Sequence, residues 1–242
     1  MTVRSSRVSR YLRNIVVRRE RWSLTALGWS LVLGVVALAA AFAFVRLHDF
    51  LAISRPVGAR LLVVEGWMPS FAYREVASAF RDGGYTRVVA VGVMKEDGGA
   101  GGDATEDFAV DKLIRNGVPP DVISKASYPA IQADRTYHAA MAVKAWLAQQ
   151  RVPVTAVDIV TLGPHARRTR VLYEKALGDD VEVGVIAVRD FRIDPRHWWR
   201  TSQGARSVIG EAVGYVYARL LFAPSAYQAV TPPAGEDAGR PP

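Results

Sequence analysis

The chain is 242 residues long, half of them hydrophobic, with a formal net charge of +8 and no cysteine. The missing thiols exclude disulfides, a cysteine nucleophile, a cysteine-based metal site and a lipidated N-terminal cysteine. The charge does not mark a nucleic-acid groove: residues 1–21 hold seven arginines against Glu20 alone, so +6 of the +8 sits in a tail, leaving 24 cations against 22 acids elsewhere.

No charged side chain occurs from Trp22 to Val45. As a helix this stretch reaches about 36 Å, against a bilayer core of about 30 Å. Seven arginines precede it, and only Arg46, Arg55 and Arg60 follow closely. This asymmetry predicts a cytoplasmic basic tail over 1–21, one transmembrane helix over 22–45, and the bulk of the chain on the extracytoplasmic (periplasmic) side of the plasma membrane. Two other readings stay open. Ala41-Phe42-Ala43 resembles the cleavage site of a signal peptide, and a buried helix of a cytosolic nucleotide binder is the third possibility.

Residues 46–60, with Pro56 and Gly58, read as a short tether. Strands and helices then alternate from 61 to 222. Strands are expected at 61–65, 87–91, 122–124, 157–162 and 181–188. Helices are expected from Ser70 to the Gly83-Gly84 pair, then at about 105–116, 133–149, 164–177 and 202–221. The last carries Val208, Ile209, Ala212, Val213, Val216 and Leu220 and is expected to cover the core; Arg206 and Glu211 within it argue against a second span. The tail over 223–242 has four prolines in its last eleven residues and is expected to be disordered. The alternation predicts an α/β fold: a Rossmann-like, doubly wound, mostly parallel five-stranded sheet, preceded by one transmembrane helix.

Ligands of such sheets sit beyond the carboxyl ends of the strands. Three strand ends then matter. The first is Glu65-Gly66-Trp67, where a buried-strand carboxylate meets a tight turn. The second is the glycine-rich loop 98–102 followed by Glu106. That loop lacks the Gly-Lys-Ser/Thr of a phosphate-binding loop and the spacing of a dinucleotide fingerprint, so it reads as a lid or a linker.

The third end, Thr161-Leu162-Gly163-Pro164-His165-Ala166-Arg167-Arg168, is the richest. Gly163-Pro164 ends a strand and starts a helix. His165 and Arg168 share a face of its first turn, beside free backbone N–H groups that favour an anion. Histidine is the side chain whose unperturbed titration falls near neutrality, so His165 is a candidate acid/base and Arg168 a candidate anion clamp. The bland alternative is a capping histidine and an arginine paired with an acid. Arg135 and Thr136 open another helix in the same manner, with a solvated arginine as the plainer account; Arg74 is a weaker candidate. If the first and fourth strands are neighbours, Glu65 and His165 face one crevice. The four histidines show no metal-ligand spacing, and no Gly-x-Ser-x-Gly elbow is present. Trp198 and Trp199, flanked by Arg196 and Arg200, suggest an interfacial belt or a sugar-stacking surface, with core packing as the alternative.

Together, the anchor, the Thr136 motif, the late strand matching at Thr161, His165 and Arg168, the Trp-Trp stretch and Glu211 resemble the ElyC/SanA/YdcF family over about 61–221. The sequence departs from that pattern after Thr136, where Tyr137, His138 and Ala139 replace the family's polar positions. The resemblance implies a Rossmann-like domain of unknown reaction on the envelope face of the membrane. Its expected partners are the lipid bilayer and an anionic envelope intermediate, such as a polyprenyl phosphate, and not nucleic acid. The expected site is His165, Glu65 and Glu106 as acid/base or catalytic groups, with Arg168, Gly66, Trp67, Gly163, Thr136 and Arg135 as ligand contacts. The cofactor stays open. Hydrolysis of, or transfer from, the bound intermediate is the expected chemistry; a non-catalytic envelope assembly or binding factor is the alternative.

Overall fold

The computed structural model describes residues 23–94, 105–131, 133–150 and 153–224. The basic tail over 1–21, the glycine-rich loop and nearly all of the C-terminal tail lie outside the described residues. The chain divides into two units, residues 1–44 and 45–242. In the first, α1 (Ala26–Val45) is twenty residues of uncharged helix with no buried residue. It is the one helix among the described residues long and apolar enough to cross a membrane.

The second unit is built on a five-stranded sheet. Its strands are β1 (Leu61–Glu65), β2 (Arg87–Val93), β3 (Ile123–Tyr128), β4 (Ala156–Leu162) and β5 (Glu182–Val188). They lie in the order β3-β2-β1-β4-β5 and every pairing is parallel. Apolar side chains on both faces explain why the central strands read as continuous Val/Leu/Ile runs. Side chains alternate between two cores. Leu62, Val64, Val88, Ala90 and Val160 meet α3 (Ala72–Asp82) and α4 (Thr105–Arg115) on one face. Leu61, Val63, Val89, Val157 and Ile159 meet α5 (Arg135–Ala148) and α6 (Ala166–Leu177) on the other. Helices on both faces of a parallel sheet make the unit doubly wound and Rossmann-like.

The 46–60 stretch, expected as a tether, is fastened to the domain. It contains a short helix, α2 (Leu47–Leu51), whose Leu51 is fully buried. Arg55 pairs antiparallel with Val185 at the edge of the sheet. The amides of Val57 and Ala59 donate to the buried Asp158 carboxylate at 2.8 and 3.1 Å, and Tyr85 Oη donates to it at 2.9 Å. A fully buried carboxylate requires such donors, and these three hold the segment in place.

The last helix, α7 (Ser202–Leu220), departs from its expected core-covering role. It buries Gly204, Val208 and Ala218, while Ile209, Val213, Val216 and Leu220 remain exposed. Trp198 is fully buried with Leu51, Ile193 and Val208, which makes it a core residue and not a stacking platform.

Candidate functional site

The strand order reverses between β1 and β4, and the crevice outside their carboxyl ends is where ligands bind in open parallel sheets. A cavity of about 400 Å³ lies there. Glu65, Trp67, Arg135, Thr136, His165 and Arg168 all line it, so six of the expected site residues converge from three segments of the chain. Tyr128, Asp134 and Glu211 complete its polar wall. The β1–β4 adjacency on which the Glu65–His165 meeting depended is present.

His165 is the centre of this arrangement. Gly163, at φ +46°, turns the chain at the end of β4, and Gly163–His165 form one 3-10 turn that leads into α6. The helix thus starts two residues later than Pro164 suggested. His165 Nδ1 lies 2.9 Å from Glu211 Oε1. Arg168 grips the same carboxylate, with Nε to Oε2 at 2.7 Å and Nη2 to Oε1 at 3.1 Å. Nδ1 stands between Glu211 Oε1, which can only accept, and Arg168 Nη2 at 3.0 Å, which can only donate; we assign the proton to Nδ1 on the shorter contact, the one to the carboxylate. Nε2 is then the free lone pair on the cavity side. It lies 3.3 Å from Thr136 Oγ1 and 3.8 Å from Glu65 Oε2. The Trp67 ring meets the imidazole edge-on at a centroid distance of 5.0 Å.

Hydroxyl, imidazole and carboxylate therefore stand in series: Thr136, His165, Glu211. This is the order of nucleophile, base and orienting acid in hydroxyl-based group transfer. Thr136 lies in the first turn of α5, whose leading backbone N–H groups have no partner within the helix and favour negative charge. Asp134, just before that helix, adopts φ +50°, the one left-handed non-glycine residue among those described. Backbone in this region is often found at functional sites.

Two pKa values report the electrostatics. Burial pushes the Glu211 carboxyl up, but hydrogen bonds and charge from His165 and Arg168 outweigh it and hold the group down at about 2. Burial, aided by Glu65 and Glu106 and opposed by Arg135, pushes the Tyr128 phenol up to about 12, so it remains a hydrogen-bond donor.

Three expected residues stand apart from the cavity wall. Gly66 permits a close approach: a Cβ there would meet the Thr105 carbonyl oxygen at 2.5 Å. Gly163 shapes the turn. Glu106 is buried behind the lining, where Oε1 accepts from Ser127 Oγ at 2.9 Å and Oε2 has no partner among the described residues. Arg168 lines the cavity with its guanidinium bonded to Glu211, and Arg135 is the cavity cation without an ion pair among the described residues. Glu65 is fixed by the hydroxyl of Thr161, which donates to Oε2. No cluster of three metal-ligating side chains occurs among the described residues.

A larger cavity of about 740 Å³ opens at the amino ends of the strands, around Arg60, Thr86, Arg87 and Trp146. Among the described residues its lining contains no carboxylate and no histidine, and Arg87 is held by Gln150 at 2.9 Å and by the Trp146 face. It offers no acid/base group, so the smaller cavity is the candidate site.

Comparison of the chain with protein-family models, with curated proteins and with solved structures finds no match.

Proposed function

We propose that this protein is a membrane-anchored enzyme of the cell envelope that binds a phosphate-containing intermediate in the β1/β4 cavity and cleaves it. The Thr136–His165–Glu211 series carries the reading, because the two distances of 3.3 and 2.9 Å put a hydroxyl, a base and an orienting carboxylate in working order. Arg135 and the N-terminal amides of α5 supply the positive field for a phosphate. The arginine-rich tail ahead of α1 favours an N-terminus in the cytoplasm and the catalytic domain on the other side. The resemblance to the ElyC/SanA/YdcF family agrees with an envelope setting.

The reaction divides into two steps. As Thr136 Oγ1 attacks phosphorus, its proton passes to His165 Nε2. The bond from phosphorus to the leaving oxygen breaks, and that oxygen takes the proton from His165. Water then attacks the threonyl phosphoester, gives its proton to Nε2, and releases phosphate while the proton returns to Thr136 Oγ1. Glu211 keeps the ring oriented throughout and faces the transient imidazolium. Glu65, 3.8 Å from Nε2, is the second carboxylate close to that charge.

The test uses the full-length chain in detergent, with bis(p-nitrophenyl) phosphate and a short polyprenyl diphosphate as probes. Cleavage by the wild type, with a loss of about 10²-fold or more in His165→Ala and Thr136→Ala, supports the reading. A wild-type chain that neither binds nor cleaves either probe overturns it.

A further inference from the structure

The outer face of α7 is a feature that the candidate chemistry does not use. Ile209, Val213, Val216 and Leu220 recur at helical spacing, and their exposures of 49, 65, 50 and 73 % describe a continuous apolar stripe. Over eleven residues the stripe extends about 16 Å. Tyr217 and Leu221 widen it, and Arg206 and Arg219 are exposed near its ends. A continuous apolar patch bordered by basic residues is a binding surface and not ordinary protein exterior.

The occupant follows from what is attached next to it. One residue, Arg46, separates the end of the apolar helix α1 from the start of α2. α2 is held against α7. The Phe50 and Tyr215 rings meet edge-on at 5.6 Å, and Leu47 and Leu51 share a cluster with Val208, Ala212 and Tyr215. Arg167 reinforces the joint, with its guanidinium over the Phe50 ring at 3.9 Å and its Nε donating to the Phe50 carbonyl. The residues that directly follow the apolar helix in the chain are therefore packed on α7 within the domain.

We infer that the apolar stripe of α7 lies in a lipid surface, which gives the domain a membrane contact of its own besides the apolar helix that precedes it in the chain. Val213 and Leu220 would sit at the boundary of headgroups and acyl chains, with Arg206 and Arg219 reaching lipid phosphates. The inference rests on the membrane-anchor part of the proposed function and is independent of the catalytic part.

The chain contains no cysteine, so single labels can be placed without background. The full-length protein, carrying Val213→Cys or Leu220→Cys with a bimane label, is reconstituted in phosphatidylethanolamine–phosphatidylglycerol vesicles containing doxyl lipid. Asp121→Cys, in an exposed turn, is the control. Quenching at 213 and 220 at least twofold stronger than at 121 is expected. Equal, weak quenching at all three sites in a chain that resists alkaline carbonate extraction overturns the inference and leaves the anchor intact. Release of the chain by carbonate overturns the anchor reading and the inference with it. Disulfide cross-linking of unlabelled Val213→Cys chains to one another, with no lipid quenching of the labelled form, assigns the stripe to a second copy and also overturns it.

Discussion

His165 and Glu211 are 46 residues apart in the chain and 2.9 Å apart in the fold. Glu211 comes from α7, a helix outside the sheet, yet it determines which imidazole nitrogen faces the cavity. Replacing it by glutamine keeps the shape and removes the charge. Glu211→Gln is expected to lower kcat by about 10-fold or more with little change in KM, because both carboxylate oxygens are engaged by His165 and Arg168. Equal changes in kcat and KM would assign Glu211 to ligand binding.

The same carboxylate gives a pH signature. Its folded-state value of about 2 lies below the ordinary 4.5. A depressed carboxylate contributes stability that is present above the unfolded value and is lost as pH falls through the folded one. The stability advantage of wild type over Glu211→Gln is therefore expected at neutral pH and should decline from about pH 4.5 towards pH 2. Urea unfolding of both proteins across that range measures it. A constant difference would mean that the Glu211 charge is not coupled to folding.

Arg135 and Arg168 should separate cleanly. Arg168 is tied to Glu211, so Arg168→Ala should lower kcat with little change in KM. Arg135 has no ion pair among the described residues, so Arg135→Ala should raise KM for phosphorylated probes by about 10-fold and leave kcat little changed. Steady-state kinetics on the two variants decides between these roles.

Asp158 is a structural carboxylate. Asp158→Ala would strand the amides of Val57 and Ala59 and the Tyr85 hydroxyl, with an expected loss of about 3 kcal/mol. Tyr85→Phe removes one donor and should lose about 1 kcal/mol. Gly184→Ala should be at least as damaging as Tyr85→Phe, since its Cβ would come within 1.8 Å of Asp158 Oδ1. Denaturant midpoints for the three variants give the ranking.

Gly92 controls the approach of α4 to the sheet. A Cβ there would meet Thr105 Oγ1 at 2.3 Å and the Glu106 amide nitrogen at 2.6 Å. Gly92→Ala is expected to cost about 2 kcal/mol and to disturb the Glu106–Ser127 hydrogen bond. Unfolding measurements, with Gly210→Ala on open space as the control, test this.

The parts of the fold that were legible are those whose local chemistry matches their final environment. β1, β2 and β4 are buried on both faces, so their sequences are rich in Val, Leu and Ile, with Asp158 and Thr161 as buried polar exceptions in β4. β3 was legible only over 122–124. It is an edge strand whose exposed Lys125 and Ser127 interrupt the apolar run, while the observed strand is Ile123–Tyr128. Glu65, His165 and Thr136 were legible as candidates because strand ends and helix starts place side chains at the carboxyl rim of the sheet. The roles of Arg168 and Glu211 were less so. An arginine three residues after a histidine reads as an anion clamp until a carboxylate from a distant helix occupies it. Asp158 carries no local sign that its partners lie about a hundred residues earlier, and the 46–60 segment therefore read as slack chain.

α7 joins two tasks that are usually far apart. Glu211 and Val213 are two residues apart and so roughly 200° apart around the helix axis, one turned to the imidazole and the other outward. A helix with its side chains is about 10–12 Å thick. With the stripe in the lipid surface, the reacting hydroxyl stands above it by the thickness of α7 plus the Glu211–His165–Thr136 series, whose two contacts are 2.9 and 3.3 Å. A ligand with a lipid tail then need not leave the bilayer to place its phosphate beside Thr136, and enzyme and ligand find each other by lateral diffusion in a plane.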